Sequence, residues 1–467
     1  DTCPEALIQA ARDYMRQRMN RRRADGLIFL LLGGIVFVSL GVILERITPE
    51  PLVDLRTLYF PARCLLQYGD PYSPSQVEKV YRTEGGDWAT DSTKVRQIVT
   101  QLIYPPSVFL ISVPMALLPW NIVQSIWVAF IAGGFIFASI LIWGFSAEQA
   151  PLLSGLLIGF LVGNSEVLLV GGNAAGIVVS LCILALWCFI RNRYEAVGVI
   201  CLALSLAIKP HDSGLVWIYL LIAGARFRKR ALQALAVSIA MSLPVVFWVS
   251  SVSPGWWREI LINISATSIH GGVSDPGPTS TGAHGLAMVV SLQAVFSIFR
   301  DDPRFYNLAS YLTCAPLLVV WMWKTARKAS SKMNTWLGLA TIAGLTMLPV
   351  YHRQYDTKLL LLTIPACALL WAEGSRAGRF AVLVNAAAIV LNGDLTWTVI
   401  LGIVHAMHVQ AGGFGEKLLV GVQVFPAPLS LLASCVVFLW LYVRRSDAEA
   451  ATNALENQDT PQPALNG

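Results

Sequence analysis

The chain has 467 residues, of which 55% are hydrophobic and only 13% charged, and its mean hydropathy is +0.60. That is more apolar surface than a water-soluble domain can hide, so the composition excludes a soluble globular protein and predicts a membrane protein. The formal net charge of +6 does not point to nucleic acid, because the basic residues gather in short breaks between apolar runs, the pattern of cytoplasmic span ends.

In chain order, residues 1–25 read as a basic cytoplasmic segment and "GLIFLLLGGIVFVSLGVIL" (26–44) as a continuous spanning helix, too uniformly apolar for a barrel strand. Placing the basic clusters inside makes 45–103 a first extracytoplasmic loop. Within it, Asp54 precedes Leu55, Leu58, Tyr59, Ala62, Leu65 and Leu66 at helical spacing. This predicts an amphipathic helix in the interface, kinked or started at Pro61, with the acid as its N-cap. The run 104–120 is expected to return and 122–144 to exit.

The stretch 151–190, interrupted by "GNSEVLLVGGN", allows one crossing plus a re-entrant piece or three short crossings. Two short arms, 195–208 and 213–224, flank "KPHD", which places Lys209, Pro210, His211 and Asp212 at an outer turn sunk below the interface. The run 231–250 leads to a second extracytoplasmic loop, 251–304, carrying a short interfacial helix at 285–299. Spans follow at 305–323, 335–350, 359–371, 380–395 and 420–443, with an apolar piece at 396–411. The expectation is an all-α bundle of about 10–13 transmembrane helices over 26–445, then a polar, disordered cytoplasmic tail over 446–467.

The eight cysteines are scattered with no CxxC pair, so neither disulfides nor a cysteine metal site is expected. No two histidines stand at ligand spacing beside a carboxylate, which argues against a structural zinc site, and no cofactor is expected.

With sides assigned, the polar residues that are not topology signals fall mostly on the outer face: Asp54, Arg56, Asn164, Glu166, Asn173, Lys209, His211, Asp212, His270, Asp275, His284, His352, Arg353, Asp356 and Lys358. A transporter holds its ionisable groups inside long spans, and here the long spans are nearly free of them. An acid and several cations beside the membrane suit transfer from a lipid-anchored donor whose head is a phosphate-linked sugar. Asp54 fits the base that takes the acceptor proton, although an acid in this position is more commonly a plain N-cap. Lys209, with His352, Arg353 and Lys358, fits the donor phosphate. Arg56, Tyr59, Tyr104, Asn164, Glu166, Asn173, His211, His284 and Tyr355 are candidate substrate contacts.

Four segments carry a resemblance: "DLRTLYFPARCLLQYGDPYSP", "YPPSVFLISVPMALLP", the stretch from "GFLVGNSEVLLVGGN" to "LAIKP", and "VYHRQYDTKLLLLTIPA". Together they resemble the polyprenyl-phosphate-dependent mannosyltransferases of glycosyltransferase family 87, members of the GT-C superfamily. The resemblance implies a GT-C bundle in the cytoplasmic membrane with its site on the extracytoplasmic side. It also implies a polyprenyl-phosphate sugar donor, a glycolipid or cell-envelope glycan acceptor, inversion at the anomeric carbon and Asp54 as base. Many GT-C enzymes pair acids in the first loop, whereas Asp54 is followed by Leu55 and Arg56, so metal dependence is not expected. The rival expectation is a transporter or flippase of a lipid-linked sugar.

Overall fold

The structure, a computed structural model, describes residues 4–84, 89–272, 274–277, 289–327, 331–406, 420–422 and 424–458. Among the described residues there is no β-strand, only an isolated bridge between Val289 and Arg353. Helix α1 (Pro4–Ile47) runs without a break from the basic segment through the first apolar run. The loop after it folds into α2 (Val53–Leu66), α3 (Pro74–Thr83) and α4 (Thr93–Thr100), then a 3-10 turn (Pro106–Val108) and α5 (Phe109–Ala116). Next come α6 (Trp120–Ser146), α7 (Pro151–Gly163), α8 (Val167–Gly171), α9 (Ala175–Arg191), α10 (Glu195–Ile208) and α11 (Pro210–Ile222). Prolines open α3, α7 and α11, where the missing N–H costs nothing.

The second half holds α12 (Ala225–Val252), α13 (Trp256–Ser268), α14 (Leu292–Ser297), α15 (Pro303–Arg327) and α16 (Lys332–Leu345). A 3-10 helix (Gln354–Thr363) continues into α17 (Ile364–Glu373), followed by α18 (Arg376–Leu391), α19 (Asp394–Ala406) and α20 (Pro426–Gln458). Among the described residues seven helices are long and apolar enough to cross a bilayer, or eight if α18 and the first part of α19, bent by 62°, count as one span. The chain is therefore an all-α, multi-pass membrane protein. The sequence expectation of about 10–13 spans counted short arms such as α9 and α10, which fall below that length.

Helix α1 packs in parallel against α7 through glycines. A Cβ on Gly33 would lie 2.1 Å from the Gly159 carbonyl oxygen, and one on Gly155 would lie 2.1 Å from that of Gly26. Only glycine lets two backbones approach this closely.

The sense of α6 corrects the sequence reading. Between 104 and 120 the helical part is only Pro106–Ala116, interrupted by Pro114 and packed on α2, so this run does not return across the bundle. Instead α6 runs opposite to α1. Phe37 meets Phe135, and the Trp127 indole N–H donates to the Gly172 carbonyl at 2.8 Å near the C-terminal end of α1, where Leu52 N–H reaches the Val170 carbonyl. At the far end Arg191 donates to the Gly144 carbonyl. The stretch 151–190 is accordingly a hairpin of two limbs, α7 and α9, with α8 across its broken apex.

Two other expectations change. The interfacial helix at 285–299 reduces to α14, whose residues are buried except for the half-buried Phe296, and residues 285–288 lie outside the described residues. Ahead of α14 the chain is extended: Val290 N–H donates to the His352 carbonyl at 3.0 Å and Leu292 N–H to that of Leu348 at 2.9 Å. At the other end, α20 continues to Gln458, past the start of the expected disordered tail, because Ala, Glu and Asn at 448–457 do not break a helix.

Candidate active site

Leu52 adopts a left-handed conformation (φ 54°) that turns the chain from α1 into α2, and it, not Asp54, is the N-cap. Asp54 therefore makes no cap bond. Its Oδ2 accepts from Asn173 Nδ2 at 2.8 Å, while Asn173 Oδ1 accepts from Ala175 N–H at the start of α9 at 2.8 Å. A side chain on Gly171 would crowd the same carboxylate, at 3.2 Å. Asp54 is partly accessible. Its surroundings push its pKa above the ordinary carboxylate value, chiefly by desolvation, against the Asn173 hydrogen bond and the positive charges of Arg353 and Lys209.

Lys209 occupies the junction of α10 and α11, held extended by the proline that follows. Its ammonium is buried, pairs with Asp356 and lies 3.0 Å from Asp212 Oδ2. It also stands 5.0 Å over the Tyr355 ring. The segment between α16 and the 3-10 helix supplies the rest. His352 is buried, with Nδ1 3.0 Å from the Val350 carbonyl and Nε2 3.5 Å from Asp212 Oδ1. Burial disfavours its charged form, but Asp212 and Asp356 outweigh this, so its pKa lies above the ordinary imidazole value. Arg353 donates to the Tyr351 hydroxyl, and its N–H donates to Asp356 Oδ2 at 3.2 Å. His211, with a side chain 46% exposed, places Nε2 3.5 Å from the same Asp212 oxygen.

Thus Asp54, Asn173, Lys209, His211, His352, Arg353 and Tyr355, drawn from four distant segments, share one end of the bundle. Tyr104 joins them through its electrostatic coupling to Lys209 and Asp54. Sequence reasoning left Asp212, Asp356 and Tyr351 out of the site, although the first two were among the outer polar residues. The signals available were the place of Asp212 at i+3 from Lys209 and the place of Tyr351 and Asp356 in the same segment as His352 and Arg353.

Other candidates go elsewhere. Lys358 is buried against Asp394, 2.9 Å away, and donates to the Asn164 carbonyl at 3.0 Å. Asp394 in turn accepts from Val167 N–H at 2.9 Å and donates its own N–H to the Asn164 carbonyl at 3.2 Å. This brace joins the breaks at 164–166 and 392–393, and Asn164 and Glu166 belong to it rather than to the Lys209 cluster. Among the described residues, Glu166 Oε2 is buried with no hydrogen-bond partner. Arg56 bonds both Asp91 oxygens, at 3.1 and 3.0 Å, and the Tyr81 hydroxyl at 3.0 Å, pinning α3 and α4 to α2. Two residues along a helix turn the side chain by about 200°, so Arg56 points away from Asp54. Tyr59 donates to the Leu118 carbonyl at 2.9 Å and packs on Trp120. His284 lies outside the described residues.

The arrangement offers a partly accessible carboxylate of raised basicity within the field of a buried lysine, Lys209, and a half-buried arginine, Arg353, beside a surface of tyrosines. That is the equipment for removing a proton from a hydroxyl while an anionic leaving group forms nearby. No family model matches the chain, and neither a curated protein nor a solved structure does.

Proposed function

We propose that the chain is a membrane glycosyltransferase that moves a hexose, mannose in the first instance, from a polyprenyl phosphate to a glycolipid or cell-envelope glycan. In this reading the reaction takes place on the extracytoplasmic side of the cytoplasmic membrane, within a GT-C-type bundle. Asp54 takes the proton of the acceptor hydroxyl as that oxygen bonds to the anomeric carbon. The bond from that carbon to the phosphate oxygen breaks on the opposite face, its electron pair leaves with the lipid phosphate, and the configuration inverts. Lys209 and Arg353, with His352 beside them, balance the departing charge.

One observation carries the proposal: Asp54 is held by Asn173 without capping a helix, within the field of Lys209 and Arg353. An acid spent only on capping has no need of such partners. The extracytoplasmic side is supported by Arg191, in a basic cluster, which lies beside Gly144 at the end of α6 remote from the Trp127 to Gly172 contact. The test is transfer of labelled mannose from polyprenyl phosphate by pure protein in nanodiscs. Wild type should transfer and folded Asp54→Asn should not, and normal transfer by that variant would remove the proposal.

A second reading, a flippase of a lipid-linked sugar, is favoured by one feature. Lys358, Asp394 and Glu166 are buried at breaks in apolar helices, where transporters commonly keep ionisable groups. Movement of labelled donor across liposomes with no transfer would select it.

A further inference from the structure

We infer that His211, Asp212 and His352 form a binding site for one divalent transition-metal ion of the zinc class, with His211 Nε2, His352 Nε2 and Asp212 Oδ1 as ligands. The two imidazole nitrogens each stand 3.5 Å from the same carboxylate oxygen, and one ligand atom from each residue lies within 4.8 Å of the other two. A spacing of 3.5 Å is long for a hydrogen bond. It is close to the distance between neighbouring ligands of a tetrahedral ion, about 3.4 Å for bonds of about 2.0–2.1 Å.

The surrounding groups point the same way. His352 places Nδ1 3.0 Å from the Val350 carbonyl. A proton on Nδ1 then leaves the Nε2 electron pair aimed at Asp212, the orientation that a carbonyl behind a histidine gives a metal ligand. Asp212 is fixed from its other side by Lys209 at 3.0 Å from Oδ2, which leaves Oδ1 toward the histidines. His352 and Asp212 are 1% and 3% exposed. Among the described residues, His352 Nε2 and Asp212 Oδ1 have no hydrogen-bond partner. Buried electron pairs that converge in this way call for a positive centre between them. A metal ion between them would take one lone pair from each of the three atoms. His211 is half exposed, which gives the ion a route in.

A second cluster, His270 with Asp275 and Asp301, meets the same spacing but offers one imidazole instead of two. His270 faces one acid with Nδ1 and the other with Nε2, at 3.6 Å each, so its ring separates the acids and directs only one nitrogen to any one ion. Three protein ligands at the His211 site leave a position for water or an anionic oxygen, such as that of a phosphate. The site shares His211 and His352 with the cluster of the glycosyl-transfer reading but does not include Asp54, so metal binding and transfer are read out separately.

The test uses full-length protein without a polyhistidine tag, stripped by chelator and titrated with Co²⁺ and then Zn²⁺. One ion per chain is expected, with the visible absorption of low-coordinate Co²⁺ lost as Zn²⁺ displaces it. His211→Ala and His352→Ala should each weaken binding at least about 10-fold, and His270→Ala and Asp54→Asn should leave it unchanged. His211 is half exposed, so its variant reports even if His352→Ala fails to fold. Absence of stoichiometric binding overturns the inference, as does binding that survives His211→Ala or is lost in His270→Ala. Metal binding that persists in a protein with no transferase activity would sink the proposed function and leave the metal site standing.

Discussion

Asn173 clasps Asp54: its side-chain amide donates 2.8 Å to the carboxylate while its own oxygen is held by the first turn of α9. The amide therefore cannot swing away without breaking a helix start, and Asp54 is fixed relative to the α7–α9 hairpin. For a base this is positioning, and its removal is expected to lower the rate more than the affinity. Asp54→Asn should reduce transfer by about 10²- to 10⁴-fold with unchanged elution on size exclusion. Asn173→Ala should lower kcat with KM near normal, measured with purified enzyme under saturating donor.

The acid limb of the pH profile follows from the same contact. Only the carboxylate of Asp54 can accept a proton, so kcat/KM should fall as pH drops through its pKa, which burial places above the ordinary value of about 3.9. The Asn173 hydrogen bond favours the charged form, so Asn173→Ala should move the limb to still higher pH. A limb that moves down, or stays in place, contradicts the assignment.

Lys209 offers a test of the buried charges. Lys209→Met leaves Asp212 and Asp356 facing each other without their cation, an uncompensated burial expected to cost about 3–5 kcal/mol. Adding Asp356→Asn should restore much of the stability without restoring transfer, as read by thermal unfolding in detergent beside the activity assay.

Arg56 separates a brace from a substrate contact. Its guanidinium is committed to Asp91 and Tyr81 through Nη1, and a lysine, shorter and differently hydrated, does not place its nitrogen at the same point. Arg56→Lys should cost about 1–3 kcal/mol and speed proteolysis of the first loop, with KM for the donor unchanged. A raised KM with normal stability would return Arg56 to the binding site.

The glycine seam gives a control pair within one helix turn. Gly33→Ala drives a methyl to 2.1 Å from the Gly159 oxygen, whereas at Gly34 the nearest atom, on Ile136, is 3.6 Å away. The first should lower the melting temperature and the second should not, measured by fluorescence-detected size exclusion after heating.

Much of this architecture was legible in the sequence. Polar residues stand out against apolar runs, so Asp54, Lys209, His352 and Arg353 could be picked out one at a time, and the fold brings them to one end. The sense of α6 was not legible, because 104–120 has the composition of a span and only its proline-broken, eleven-residue helix disqualifies it. Nor does one-dimensional spacing report that His211 and His352 approach one carboxylate, or that Lys358 is consumed by Asp394 across a helix break. Charge type is written in the chain, but the identity of each partner is decided by helix packing.

The seam between α1 and α7 also limits how any lipid reaches the polar end. From Gly26 to Gly33 the two helices touch almost backbone to backbone, and farther along α1 Gly41 meets the Leu169 side chain of α8, leaving no slot wide enough for an isoprenoid. That flank is a sealed wall, so in the proposed reaction a membrane-borne tail would have to enter from another side of the bundle.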